Sequence, residues 1–371
     1  MDNNKAIPLM VPDIQESDIA SVVDVLRSGM LIQGLKVEEL EKSIELFLGV
    51  KNAIAVSNGT ASLHLALIAL EIGPGDEVIV PALSYIATAN VVELVGATPI
   101  FVDINIDTFN IDVNLIETVI TSKTKAIIPV HEFGLACEIE KVCSIASRHG
   151  LVVIEDAACA LGATSNGKFV GSFGNIASFS FHPRKAITCG EGGILVTNDD
   201  LLAARIRVLR NHGIEYHNDQ MNFVSAGFNY RLTDFQAAMV NNQLKRLHKI
   251  LDYKNDLAKI YLEDLSNIDL IKLPNCFKEK NHTWQSFHII VKKNRKELIE
   301  HFKKFGIGSN YGAQCIPAQQ FYSEKYKLNI EELFPNALNA FENGLVLPLY
   351  EKMEKSDLKY VIKVLKAFVN A

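Results

Sequence analysis

Between residues 50 and 200 the apolar positions fall in short continuous runs separated by stretches of helical spacing. The runs are NAIAVS (52–57), EVIVP (77–81), TPIFVDI (98–104), KAIIPV (125–130), LVVIED (151–156), ASFSF (177–181) and GGILVTN (192–198). Between them, residues 60–71, 86–95 and 138–148 place apolar side chains three and four apart, and Gly73-Pro74-Gly75 and Gly150 stop two of these segments. A strand that is apolar throughout is buried on both faces. Such strands alternating with helices predict an α/β fold with a mostly parallel central sheet flanked by helices.

Helical pattern dominates from residue 199 to about 264, with one long helix expected through 232–249. The pattern then changes. HTWQSFHIIVKK (282–293) reads as a strand, ELIEHFKKFG (297–306) as a helix, GLVLPL (344–349) as an apolar strand and 356–368 as a closing amphipathic helix. The expected division is a large unit, residues 1–249 with an N-terminal helical segment, and a smaller C-terminal α+β unit, residues 250–371, packed around a cleft.

Composition narrows the class. Of 371 residues, 48% are apolar and the net charge is −6, which fits a soluble globular protein and gives no basic footprint for nucleic acid. The basic cluster 292–296 reads as a solvated strand-to-helix connection. The apolar stretch 78–102 is broken by Pro81, Asn90, Glu93, Gly96 and Pro99, so no membrane span is expected there. MDNNKAIPLM has no charged segment followed by an apolar one, so no signal peptide is expected. Six scattered cysteines (137, 143, 159, 189, 276, 315) without a CxxC pair fit reduced thiols in the cytoplasm and give no metal site.

Four local features carry candidate chemistry. Ser57-Asn58-Gly59-Thr60 joins a strand to a helix, and amides at a helix N-terminus favour an anion such as phosphate. Glu155-Asp156 sits at the carboxyl end of an apolar strand, the edge where ligands bind in open α/β sheets. Lys185, in HPRK after the ASFSF strand, becomes a nucleophile if it is desolvated or set beside a cation, and Arg184 is its neighbour. Tyr85 lies just past EVIVP, where a flat ring can stack on a ring ligand. Each alone is as well read as a helix cap, a capping acid, a surface lysine or a rim tyrosine. Together they are the parts that hold pyridoxal phosphate: a phosphate cup, an acid for a ring nitrogen, an aromatic platform and a lysine for the aldehyde.

The ordered set VLRSGMLIQGLKVEELE (25–41), VSNGTASLHLAL (56–67), GDEVIVPALSYIATANVV (75–92), PVHEFG (129–134), VIEDAACALGA (153–163), SFSFHPRKAITCGEGG (178–193), GFNYRLTDFQAA (227–238) and GLVLPLY (344–350) resembles the DegT/DnrJ/EryC1/StrS family of sugar aminotransferases over nearly the whole chain. The resemblance implies the pyridoxal-phosphate-dependent transferase fold type I, that of aspartate aminotransferase. It implies that Lys185 forms the Schiff base with the cofactor and that Asp156 pairs with the pyridine nitrogen. Ser180, the Gly59 amide and Thr60 would hold the phosphate, and Tyr85 would stack on the ring. Asn229 would reach the phosphate of the neighbouring subunit, making the site a property of a homodimer. Arg231 is expected to support that interface in preference to touching substrate, and His182 to be a structural histidine in preference to a neutral orienting one. Cys159 stands where many relatives have a glutamine near the ring hydroxyl, and a thiol is a weak donor; Cys189, where Thr is common, is expected to be packing.

The implied activity is transfer of an amino group from L-glutamate to a nucleotide-linked keto sugar. A 4-keto-6-deoxyhexose is expected, with GDP-4-keto-6-deoxymannose giving GDP-perosamine as the first choice, for surface polysaccharide synthesis. Residues 311–322 (YGAQCIPAQQFY) are the candidate lining of the nucleotide pocket. The alternatives are a dehydratase on the same scaffold, disfavoured because HPRK keeps the lysine such enzymes replace with histidine, and a non-catalytic cofactor-binding regulator.

Overall fold

The computed structural model describes residues 6–275, 277 and 279–369; Cys276 and the first five residues lie outside them. Seven strands form the central sheet: β1 (Asn52–Val56), β2 (Glu77–Pro81), β3 (Thr98–Val102), β4 (Thr124–Ile127), β5 (Val152–Asp156), β6 (Ile176–Ser180) and β7 (Gly193–Thr197). Their order across the sheet is β1-β7-β6-β5-β4-β2-β3. β7 runs antiparallel to β1 and β6, and the remaining pairs are parallel. An α/β fold with a mostly parallel, helix-flanked sheet is therefore what the chain adopts.

The apolar runs are continuous because both faces are covered. In β1, Ile54 and Val56 point into one core while Ala53 and Ala55 point into the other. The first core is closed by the helices Gly59–Ala69, Ala87–Leu94 and Asp200–Arg210; the second by Leu35–Leu48 and Asp234–Leu244. All strands but β7 end at one edge of the sheet. The segments that follow β1, β2, β4, β5 and β6 converge there, and this convergence positions the site.

A third core gathers Trp284, Phe287, Phe302, Leu358 and Val361 around a small antiparallel sheet, Ile271–Lys272, Phe287–Val291 and Gly344–Leu347. The N-terminal Ile7 is buried in this core and bridges to Ile307. The helix Leu247–Leu265 starts in the second core with Leu247 and Ile250 and ends in the third with Tyr261 and Leu265. Residue 250 lies inside it. Residues Tyr322, Phe334, Ala337 and Ala340 return to the first core.

Three local expectations are corrected. The stretch 232–249 is not one helix: Asp234–Leu244 and Leu247–Leu265 are separated at Arg246 (φ −111°, ψ 7°). That break lets the Arg246 guanidinium reach Asp18 Oδ2 at 2.6 Å and Asp13 Oδ2 at 3.1 Å, tying down the N-terminal helix Glu16–Ser28. Residues 214–223, expected as helix, form a hairpin, Ile214–His217 with Gln220–Phe223. The strand expected over 282–293 is only Phe287–Val291, because Trp284 takes a left-handed φ of 49° and the Thr283 amide bonds Gly134 O at 3.0 Å.

Candidate active site

A cavity of about 340 Å³ opens at the carboxyl edge of the sheet, between the sheet and the segments 285–286 and 310–314. Gly59, Thr60, Tyr85, Asp156, Cys159, Ser180 and Lys185 all line it. Of the sequence-derived set, Asn229 alone does not.

Lys185 owes its position to the loop between β6 and β7. Its amide donates to His182 O at 2.8 Å, and the Arg184 amide donates to His182 Nδ1 at 3.2 Å. Farther along, Gln243 clamps Thr188, accepting from its amide at 2.9 Å and donating to its carbonyl at 2.7 Å. The Thr188 hydroxyl donates to Phe181 O at 2.7 Å. The loop is thus tied at both ends to rigid elements, and Lys185 Nζ donates to Cys159 Sγ at 3.0 Å. Burial lowers the pKa of His182, and its Nδ1 is spent on the Arg184 amide, as befits a structural histidine. Cys189 packs in the second core with a thiol pushed up to about 12 by burial.

The two acids at the end of β5 have opposite fates, since successive strand residues face opposite sides. Glu155 is sealed away. Its carboxylate accepts the amides of Gly171, Phe173 and Gly174 at 2.7–2.8 Å and the Nε2 of His131 at 3.0 Å. Burial alone raises its pKa, but the His131 bond and the amides outweigh that and hold it below the usual range. His131 Nδ1 accepts the Cys137 amide at 3.1 Å, so the proton of this ring sits on Nε2. Asp156 faces the cavity. Its Oδ2 accepts from Thr88 Oγ1 at 2.8 Å and its Oδ1 from the Ala158 amide at 3.2 Å. Burial pushes its pKa up, opposed by those two donors and by Lys185, and a cationic ligand placed here would draw it down again.

Gly59 opens the helix Gly59–Ala69, capped by the Asn58 side chain, which accepts the Ala61 amide at 2.8 Å. A Cβ on Gly59 would stand 2.9 Å from the Ser180 Cβ, and one on Gly193 would stand 2.6 Å from the Asn58 carbonyl carbon. Glycine at both positions therefore lets the helix start, β6 and β7 close to contact. The result is a cradle of amides and the Thr60 and Ser180 hydroxyls at a helix N-terminus, a setting for an anion.

Tyr85 stands at the mouth, 59% exposed, and borders a second, open groove lined by Asn90, Gln319, Phe321 and Tyr322. Gly312, Ala313 and Gln314 of the 311–322 segment line the main cavity itself. Asn229 is exposed outside the cavity and bridges to Asn211. Arg231 bridges to Val56 and donates to Asn211 Oδ1 at 2.7 Å, a structural tie.

Sequence reading missed Thr88, Glu132, Gln285 and Ser286. Thr88 lies one helical turn past Ser84, whose hydroxyl it meets at 3.0 Å, and that spacing after a strand end was a usable signal. Glu132 is 5% exposed beside Asp156. Nothing in PVHEFG distinguishes it from a solvent-facing loop acid. Gln285 and Ser286 come from the smaller sheet's leading segment, and Gln285 donates to Arg184 O at 3.2 Å.

An amine, a carboxylate awaiting a cation and an anion cradle that a Cβ would fill thus share one cavity. This donor set fits a phosphorylated pyridine aldehyde. Residues 12–366 match the DegT/DnrJ/EryC1/StrS aminotransferase family. The UDP-4-amino-4-deoxy-L-arabinose–oxoglutarate aminotransferase of Shewanella sediminis is 36% identical, with 99% of each chain covered. The spore coat polysaccharide biosynthesis protein SpsC of Bacillus subtilis is 36% identical, covering 99% of this chain and 98% of that one. Among solved structures, Spr1654 from Streptococcus pneumoniae in its PMP form superposes with a TM-score of 0.94 at 31% identity, covering 99% of this chain and 98% of that one. Its PLP form gives 0.93. The chain belongs to the DegT/DnrJ/EryC1/StrS aminotransferase family, a sugar aminotransferase whose cofactor is pyridoxal phosphate.

Proposed function

We propose that the protein transfers an amino group from L-glutamate to a nucleotide-linked 4-keto-6-deoxyhexose, with GDP-4-keto-6-deoxymannose, giving GDP-perosamine, as the first candidate, in surface polysaccharide synthesis. The observation that carries the reading is the convergence of Lys185, Asp156 and the Gly59–Ser180 cradle on one cavity. The Shewanella relative, named for a UDP-linked 4-amino sugar, supports amination at C4. The free thiols of Cys137, Cys143, Cys159, Cys189 and Cys315 fit work in the cytoplasm, and among the described residues no helix is long and apolar enough to cross a membrane.

In this reading the bound cofactor supplies an electron sink that lets an amino acid release its α-proton. The Gly59 amide and the Thr60 and Ser180 hydroxyls would hold its phosphate. Asp156, oriented by Thr88 and the Ala158 amide, keeps the pyridine nitrogen protonated. Tyr85 would cover one face of its ring. Lys185 Nζ would anchor the aldehyde and, once displaced by the donor's amine, would be the general base for the donor's α-proton and then its general acid. Gln243 clamps the same loop at Thr188, which limits how far the backbone carrying Lys185 can shift. The groove beside Tyr85, lined by Phe321 and Tyr322, receives the nucleotide.

The site is proposed to be completed in a homodimer, with Asn229 serving the phosphate of the neighbouring subunit. Asn229 is exposed outside its own cavity, and the nearby hairpin presents Tyr216, Met221 and Phe223 to solvent. The larger unit, residues 1–249, is proposed to carry the cofactor and residues 250–371 to close over the substrate. The test is a panel of GDP-, UDP- and dTDP-linked 4-keto sugars with glutamate, read by mass. Amination of the GDP-linked compound alone supports the reading in full. Amination of another compound replaces the sugar, and no amination of any 4-keto sugar overturns it.

A further inference from the structure

Glu132 is a second buried carboxyl in the cavity. It follows β4, and its backbone is held in place from both sides. The Glu132 amide donates to Asn110 Oδ1 at 2.8 Å, and Asn110 in turn donates to Leu135 O at 3.1 Å. The next residue, Phe133, adopts a left-handed φ of 54°, uncommon for a bulky side chain. Phe133 is kept there by stacking on His288 at 4.4 Å and by an edge contact with Phe109 at 5.6 Å. The fold thus spends backbone strain to turn a carboxyl inward. Burial, and then Asp156, push its pKa up to about 8, with Lys185, the Phe133 amide and Ser84 opposing. The side chain thus favours its protonated form, which can donate a hydrogen bond.

The sheet order says which part of the cofactor it meets. The phosphate cradle follows β1 and β6, Asp156 ends β5, and Glu132 follows β4, on the far side of Asp156 from the cradle. In pyridoxal phosphate the carbon bearing the aldehyde lies between the carbon bearing the phosphate arm and the carbon bearing the hydroxyl, with the nitrogen across the ring. With the arm on the β6 side and the nitrogen at Asp156, the hydroxyl points to the β4 side. Cys159 is also near, but its sulfur is engaged with Lys185 and a thiol donates weakly.

On the cofactor placement proposed above, we propose that the Glu132 carboxyl hydrogen-bonds the ring hydroxyl oxygen of bound pyridoxal phosphate and sets the pH at which the bound cofactor titrates. The groups facing Glu132 are Asp156 and Cys159 after β5 and Lys185 after β6. On its outer side, Asp107 and the neutral His282 and His288 share a small pocket with it. A donor on this oxygen stabilises the negative charge left there when the adjoining nitrogen loses its proton, so it lowers the titration midpoint.

The test is the visible absorbance of the bound cofactor against pH, with cofactor affinity by equilibrium dialysis, for the wild type, Glu132→Gln and Glu132→Leu. Glu132→Leu should raise the midpoint by about one pH unit and weaken affinity about tenfold, the loss of one hydrogen bond to a charged group. Glu132→Gln keeps a donor and should stay within about threefold of the wild-type affinity. If Glu132→Leu fails to fold, the comparison rests on Glu132→Gln. The amide cannot ionise, so it should remove the curvature that Glu132 ionisation adds on the alkaline side. Curves that overlay the wild type overturn the proposal. Borohydride reduction followed by peptide mapping separates this failure from failure of the cofactor placement. A label on Lys185 with unmoved titration sinks the Glu132 role alone, whereas a label elsewhere sinks both.

Discussion

Thr88 Oγ1 lies 2.8 Å from Asp156 Oδ2, inside a cavity where Thr88 is 1% and Asp156 5% exposed. Thr88 is itself fixed by Ser84 at 3.0 Å, so a chain of two hydroxyls aims the carboxylate. Thr88→Val keeps the shape and removes the donor. It should reduce kcat about tenfold with little change in sugar KM, since a hydrogen bond to a charged group is worth about 1.5–3 kcal/mol at most. Asp156→Ala removes the charge itself and should reduce kcat by about 10²–10³, the range seen when a preorganised electrostatic partner is lost. Steady-state kinetics on both variants check the ranking. Equal losses would show that Thr88 acts through the fold and not through Asp156.

The glycine cradle gives a prediction with its own rescue. In Gly59→Ala the new methyl would stand 2.9 Å from the Ser180 Cβ, too close for any Cβ contact, and the helix start must move away from β6. Cofactor affinity should fall at least about tenfold, as a charge-assisted hydrogen bond or two is misaligned. Ser180→Gly in the same chain removes the clashing atom, so the double variant should recover part of the affinity that Gly59→Ala loses. Equilibrium dialysis against pyridoxal phosphate measures both. No recovery would place the damage in the helix and not in the contact.

Much of this architecture could be read before any coordinates. EVIVP and LVVIED carry unbroken apolar runs, VIV and LVVI, and only a strand covered on both faces tolerates that. Lys185, Asp156 and Gly59 were legible because ligand residues in such sheets cluster at the strand ends. The antiparallel direction of β7 was not, since its apolar run is the same whichever way the strand points. The hairpin 214–223 was missed because it has no buried face: Tyr216, Met221 and Phe223 are all exposed. Its turn, Asn218 (φ 49°) and Asp219 (φ 63°), was the available signal. Glu132 was invisible for the opposite reason. Its burial depends on the left-handed Phe133 and on Asn110, which is 22 residues away in sequence.

Subunit complementation tests the shared site. Lys185→Ala removes the anchoring amine from its own cavity, while Asn229→Ala is proposed to damage only the neighbour's. Each homodimer should be impaired. When the two variants are unfolded together and refolded, or co-expressed, a mixed dimer carries one site with both defects and one with neither. Random pairing should then restore about a quarter of the wild-type activity. Activity no higher than the sum of the separate variants would put Asn229 in its own subunit's chemistry, or in none.

Stability of the cofactor-free protein should depend on pH through two sets of buried groups whose effects have opposite sign. Burial raises Glu132 from an ordinary 4.5 to about 8. Between those values the unfolded chain releases a proton that the folded chain keeps, so unfolding gains as pH rises through this window and the loss is complete above about 8. On the acid side, burial lowers His282 and His288 from 6.5 to about 3. Their contribution is fully present above 6.5 and is lost as pH falls toward 3, because the unfolded chain takes up protons that these rings refuse. Thermal melts from pH 4 to 9 should therefore show Glu132→Gln gaining on the wild type progressively from about pH 4.5 to about 8 and no further above that. His288→Phe, which keeps a ring against Phe133, should lessen the fall in stability below about pH 6.5 and leave the dependence above that value unchanged. If Glu132→Gln instead melts lower than the wild type at pH 8, the carboxyl is ionised and compensated in the folded chain, and the inward acid is a charge and not a proton donor.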